Sequence, residues 1–263
     1  YLISKGEEPE SIIAFTFTEK AAESIKRRVA EALRKFGLSE NIVGAMFIGT
    51  LDAFCQKLLG DINAKYRQFD ILDQNRLALY IMSRQYKLGL KNGKGYFNRI
   101  KEFTDAWQTM HNENIDLNDI EKYDTELFNR LSCLSDSMSA DGYMDFSFAI
   151  YLAVQELKKI DKKEGSYIEK FKYLFVDEYQ DINPIQEEFI KTVVCLICGE
   201  LNESNAPTVK NTWNSKWSSW AIPYLDKAFE LGLITEQDTM FKLAGIPCNR
   251  GEMAKVITRA VEY

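Results

Sequence analysis

Apolar positions along the chain fall into two rhythms. Short continuous apolar runs at Ser11 to Phe17, Ile42 to Ile48 and Tyr173 to Val176 predict strands. Between them the apolar residues recur at helical spacing. Glu19 to Phe36 predicts a helix, with Thr18 placed to cap its first turn and Gly37 to end it. Thr50 can cap a helix from about Asp52 to Leu59. From Gly60 to about Met138 the pattern stays helical: Asn75 to Leu88, Phe97 to Trp107, and one or two helices over Asp116 to Leu134. Lys91 to Gly95 reads as a turn, Ser135 to Gly142 as a polar break and Lys158 to Lys163 as a charged turn. Met144 to Phe148 leads into a helix ending near Lys159, and another helix follows Pro184 from Ile185 to Thr192. Val193 to Ile197, rich in β-branched and apolar residues, is expected to form a further strand.

The end of the chain has a different character. Leu201 to Asn214 is a polar linker. Trp220 to Ile234 predicts a helix, a glycine stop and a turn. Cys248 to Val261 predicts a second amphipathic helix, capped by Asn249 and apolar along Met253, Val256, Ile257 and Ala260. The expected organisation is an α/β domain with a parallel sheet over residues 1–200, a helical insertion at about 60–140, a linker at 201–214, and a small α-helical module at 215–263.

Composition narrows the class. The 263 residues are 46% hydrophobic and 27% charged, which suits a globular chain of one large or two modest domains. A net charge of −6 argues against strong nonspecific binding to duplex DNA and leaves room for a local single-strand groove. Five cysteines without regular spacing argue against a disulfide scaffold and point to a reducing, cytoplasmic setting. The single His111 excludes a multi-histidine metal centre, and no stretch of about 20 apolar residues predicts a membrane span. Tyr1 in place of a methionine is expected to mark a start inside a longer protein.

The candidate chemistry sits at the end of the third apolar run. Asp177 and Glu178 arrive together at the C-terminal end of a strand, where open α/β sheets place their ligands. An aspartate there can hold Mg²⁺ directly or through water. A glutamate beside it can orient or deprotonate an attacking water. An apolar strand followed by Asp-Glu is a Walker-B pattern of nucleotide hydrolases, although acids also simply end strands. Lys91-Asn-Gly-Lys-Gly95 has no preceding strand and no Lys-Ser/Thr pair, so it does not read as a phosphate loop.

The longer string Val176-Asp-Glu-Tyr-Gln-Asp181, with Asn183, Pro184 and Gln186, resembles motif II of the UvrD/Rep/PcrA group of superfamily-1 DNA helicases. Ala14 to Ala22, running on to Arg28 and Val29, resembles their motif Ia. Gly49 to Cys55 resembles the next motif, which contacts single-stranded DNA. Asp145 and Phe146 match part of a further family segment. Together these cover about Tyr1 to Ile190. The resemblance implies a P-loop NTPase-like (RecA-like) sheet that uses ATP and Mg²⁺. By that resemblance Asp177 holds the metal, Asp177, Gln180 and Asp181 form the nucleotide site, and Glu178 is catalytic. Thr16, Thr18, Lys20, Thr50, Asp52 and Phe54 become candidates for the DNA surface, with Phe54 expected to pack beneath its motif. Glu19 and Asp52 stand where the family usually has Asn and His.

Family members move along single-stranded DNA from 3′ to 5′. That work needs a G-x-x-x-x-G-K-[S/T] loop to hold the β- and γ-phosphates, and no such string occurs in these 263 residues. The segment Cys198 to Asn205 also lacks the Gly-Asp-x-x-Gln pattern expected there. The chain alone is therefore expected neither to hydrolyse ATP well nor to unwind DNA, and to be marginally stable or poorly soluble because a sheet strand would be missing. The tail resembles one S-layer homology module, which implies cell-wall polysaccharide as a partner through Trp220, Arg250 and Glu252. Three functions stand open at this point: part of a helicase motor domain, a non-catalytic single-strand DNA binder, and a cell-wall glycan binder.

Overall fold

The computed structural model describes residues 1–90, 95–160, 170–198, 219 and 221–235. Its strands are β1 (Ile12–Thr16), β2 (Phe47–Thr50), β3 (Asp70–Leu72), β4 (Tyr143–Asp145) and β5 (Tyr173–Val176). Its helices are α1 (Glu19–Lys35), α2 (Leu51–Ile62), α3 (Gln74–Ser83), α4 (Tyr96–Asn112), α5 (Leu117–Tyr123), α6 (Thr125–Asp141), α7 (Phe146–Lys158), α8 (Pro184–Cys198) and α9 (Ile222–Glu230). They fall into two compact units. A sheet unit takes Tyr1–Ile48, Ile168–Asp181 and Val194–Tyr263; a helical unit takes Gly49–Tyr167 and Ile182–Val193.

The sheet unit is built on three strands in the order β2-β1-β5. β1 and β5 run parallel, with Ile12 opposite Tyr173 and Phe15 opposite Val176. β1 is the central strand, and Ile12, Ile13, Phe15 and Thr16 are all buried. A continuous apolar run such as β5 suits a buried central strand, yet all four of its residues are only half-buried. It lies at the sheet edge among the described residues, paired on one side only. α1 starts where Thr18 Oγ1 accepts the Ala21 N–H at 3.1 Å. It ends before Gly37, whose φ of 71° a side chain would resist. An apolar cavity of about 540 Å³ is lined by Ile25, Val29 and Leu33 of α1 and by Ile12, Ala14 and Phe175 of the sheet.

Two strand expectations fail for physical reasons. In Ile42 to Ile48, Ser39 accepts the Asn41 N–H at 3.3 Å and starts a 3₁₀ turn over Glu40–Ala45. Polar Glu40 and Asn41 begin that turn and Gly44 lies within it, so β2 begins only at Phe47. Val193 to Ile197 stays helical. Ile185, Phe189 and Val193 are fully buried at four-residue spacing, so Val193 is the last rung of a helical stripe.

The helical unit packs α2 against α7 and seats Phe54 edge-on to Phe189, with ring centroids 6.1 Å apart. A second aromatic cluster joins Trp107, His111, Phe148 and Tyr151. β3 and β4 form a short parallel ribbon, Asp70 opposite Tyr143, which the sequence pattern did not announce. The expected polar break at Ser135 to Gly142 is absent. α6 runs on to Asp141 because Leu134 and Met138 keep its buried face, and Gly142 ends it at φ 73°. The turn at residues 91–94, the linker at 201–214 and the helix expected over Cys248 to Val261 lie outside the described residues. No helix among the described residues is long and apolar enough to cross a membrane.

Candidate functional site

β5 delivers its acids as its sequence suggests. The Asp177 N–H donates to Phe15 O at 2.9 Å, which carries the pairing with β1 one residue beyond Val176. Asp177, Glu178, Gln180 and Asp181 are all exposed. Glu178 leaves the strand in the left-handed region, at φ 52°, one of two non-glycine residues with positive φ among those described. That conformation costs an L-residue roughly 1–2 kcal/mol. A 3₁₀ turn over Tyr179–Asp181 follows at once, and the Asp181 N–H donates to Glu178 O at 2.9 Å. Gln180 Nε2 donates to Glu178 Oε2 and holds the carboxylate by one oxygen.

The donor set at this strand end is sparse. Among the described residues no three His, Cys, Asp or Glu side chains cluster as a metal cage. An exposed Asp177 carboxylate fits an ion that keeps most of its water and takes further ligands from a bound phosphate. Mg²⁺ has that habit; a caged structural metal does not.

At the neighbouring strand end, the candidates for a DNA surface divide by burial. Thr16 is 5% exposed and donates its Oγ1–H to Thr18 O at 3.0 Å. Its hydroxyl is taken up inside the turn, so Thr16 is withdrawn as a direct contact. Thr18 and Lys20 are exposed, with Thr18 Oγ1 serving as the α1 cap. Lys20 makes no ion pair among the described residues, whereas Lys26 pairs with Glu23, Arg27 with Glu31 and Arg34 with Glu40. Between Thr16 and Thr18 stands Phe17, 59% exposed, which the sequence reading passed over. The signal was an aromatic placed just past a strand end and directly before a helix cap, where no partner strand can cover it.

The second group of candidates belongs to the helical unit. Thr50 Oγ1 accepts the Ala53 N–H at 3.3 Å and caps α2. Asp52 lies half-buried in the first turn of α2, and burial raises its carboxyl above the usual aspartate range. Phe54 is 1% exposed and packs in the core, so it too is withdrawn from the DNA surface. Trp220, Arg250 and Glu252 lie outside the described residues.

Comparison with known proteins agrees with these motifs. The UvrD/REP helicase N-terminal domain model matches residues 1–196. A probable DNA helicase of Mycoplasma pneumoniae is 26% identical over 199 residues, covering 73% of this chain and 37% of that protein. The ATP-dependent DNA helicase Rep of Buchnera aphidicola subsp. Schizaphis graminum is 28% identical over 193 residues, covering 73% and 29%. DNA helicase II of Haemophilus influenzae is 28% identical over 197 residues, covering 72% and 26%. The chain thus spans between 26% and 37% of the length of these relatives.

Proposed function

The chain belongs to the UvrD/REP helicase N-terminal domain family, and from that premise we propose that it carries the acidic half of a Mg-ATP site and part of a single-stranded DNA surface in a 3′-to-5′ DNA helicase motor. The observation that carries this reading is the shared edge of two parallel strands. Exposed Asp177 and Glu178 directly follow β5, and exposed Phe17 and Thr18, with Lys20 at the start of α1, follow its partner β1. Asp177 would hold Mg²⁺, which supplies charge neutralisation at the nucleotide phosphates. Glu178 would orient the attacking water and accept its proton at the oxygen that Gln180 leaves free. Gln180 and Asp181 would complete the nucleotide side.

On the DNA side, Phe17 offers a ring for base stacking and Lys20 a cation for the adjoining phosphate. Thr18 completes this set, while Thr50 and Asp52 remain separate candidates within the helical unit. A reducing, cytoplasmic setting fits this chemistry, and Cys55, Cys133 and Cys195 are free thiols. No G-x-x-x-x-G-K-[S/T] string occurs in these 263 residues, so alone they are expected to hydrolyse ATP poorly. Single-strand binding without turnover is then the activity to look for first. The tail remains a separate proposal: residues beyond 196 fall outside the family match, and pull-down on cell-wall polysaccharide decides whether they bind glycan.

Two measurements test the reading. Fluorescence anisotropy with a labelled oligonucleotide should show single-strand binding, and a flat titration would sink the DNA half. Calorimetry with Mg-ATP on the wild type and on Asp177→Ala addresses the nucleotide half. No heat of binding is expected from either. Binding that disappears in the variant would place Mg-ATP at Asp177 and overturn the expected silence of the chain.

A further inference from the structure

Past the family match the chain forms a helix that shows no open face to solvent. α9 ends where Gly232, at φ 72°, donates its N–H to Phe229 O and the Leu233 N–H donates to Ala228 O, each at 2.9 Å. A helix lying on a surface keeps one polar face in water. Over residues 221–231 no residue is exposed. Lys227 and Glu230 pair at 3.3 Å, and both are half-buried. Asp226 within the helix and Ile234 just after it are each only 4% exposed. A helix of nine residues is marginal in water by itself, so α9 depends on the packing that covers it.

The cover includes the last turn of α8. Cys195 Sγ and the Tyr224 hydroxyl oxygen lie 3.2 Å apart, within hydrogen-bond reach, and both residues are half-buried. Both belong to the sheet unit. The family match ends at residue 196, so this contact joins the end of the matched domain to the chain beyond it.

We infer that α9 is an integral part of the sheet unit, latched by Tyr224 onto Cys195, and not the first helix of a free-standing module. The partner for this face is the chain's own α8. Tyr224, set against Cys195, and the buried Asp226 are then withheld from any outside ligand, a polysaccharide included. The inference stands apart from the nucleotide and DNA readings and holds or fails without either.

Two measurements on the full chain test it. Native-state hydrogen exchange follows the Leu225 and Leu231 amides, which donate to Ala221 O and Lys227 O, beside the Asp177 amide, which donates to Phe15 O. Ile13 is fully buried in β1, and Ile13→Val should speed exchange at Asp177 about fivefold. An integral α9 speeds by the same factor; α9 amides that keep their wild-type rates overturn the inference. Iodoacetamide labelling, mapped by mass spectrometry, compares Cys195 with Cys133, a half-buried free thiol of the helical unit. Tyr224→Ala should label Cys195 about tenfold faster and leave Cys133 as it was. Tyr224→Phe keeps the ring and removes the hydroxyl, so its gain should be smaller, about threefold. If Tyr224→Ala speeds both thiols it has unfolded the chain, and the decision passes to Tyr224→Phe. Cys195 labelling that stays at the wild-type rate in the deciding variant overturns the latch.

Discussion

Burial decides what several single residues can do here. His111 is 2% exposed, ringed by Trp107, Phe148 and Tyr151, and donates Nδ1–H to Trp107 O at 3.0 Å. Burial lowers its pKa from 6.5 to about 4, against the smaller opposing pull of the Trp107 carbonyl. The folded imidazole therefore stays neutral while the unfolded one protonates below 6.5. Stability is fully present above that pH and is lost as pH falls toward 4, by roughly 3 kcal/mol in total. Buried Asp145 acts in the opposite sense. Burial raises its carboxyl despite the Phe148 N–H it accepts, so deprotonation as pH rises carries a cost. Urea unfolding at pH 7 and pH 5 separates the two. His111→Gln should lose less stability on acidification than the wild type, because Asp145 is common to both. Equal losses would show that His111 is not the acid-sensitive group. Burial also sorts two phenylalanines that composition cannot tell apart: Phe54 is 1% exposed and Phe17 59%.

At the scale of elements, local signals were legible and long-range ones were not. α1 shows why the first class works. Thr18 precedes a run of good helix formers, Gly37 follows it, and the structure places the helix at Glu19–Lys35. Removing the Thr18 hydroxyl should cost about 1 kcal/mol. Thr18→Ala is accordingly expected to melt about 2–4 °C below the wild type. Thr18→Ser should melt near it, since the cap oxygen remains; a full loss in the serine variant would mean that the methyl group, and not the cap, stabilises α1. The acidic end of β5 was legible for the same reason, as a short apolar run with its polar residues in sequence order. Its edge position was not, because strand order is set by pairing across more than 150 residues of chain, from β1 at Ile12–Thr16 to β5 at Tyr173–Val176. Val193 was misread because β-branched residues favour strands locally, while burial on one helical stripe with Ile185 and Phe189 outweighed that preference. The hydrogen bond from Asn183 Nδ2 to Asn112 Oδ1 carried no sequence signal at all: it joins the start of α8 to the end of α4, 71 residues away.

For the whole molecule, charge sets what kind of DNA binding is open to it. The net charge of −6 opposes any polyanion at long range. On α1, Lys26, Arg27 and Arg34 each pair with a glutamate within 3.5 Å, whereas Lys20, Arg28 and Lys35 make no ion pair among the described residues. Of these, Lys20 is the nearest to Phe17, three residues on in the first turn of α1. Binding should then rest mainly on stacking, with one or two phosphates neutralised. Each neutralised phosphate of a single strand contributes about −0.7 to the slope of log K against log salt. The expected slope is about −1, shallow beside a basic-groove protein. Phe17→Ala should weaken binding by roughly 1–3 kcal/mol and leave that slope unchanged. Lys20→Ala should weaken it less and flatten the slope by about 0.7. Anisotropy titrations of the three proteins across a salt series measure both quantities at once. A steep slope that neither substitution alters would put the DNA on some other basic surface, and the strand-end surface at β1 would have to be given up.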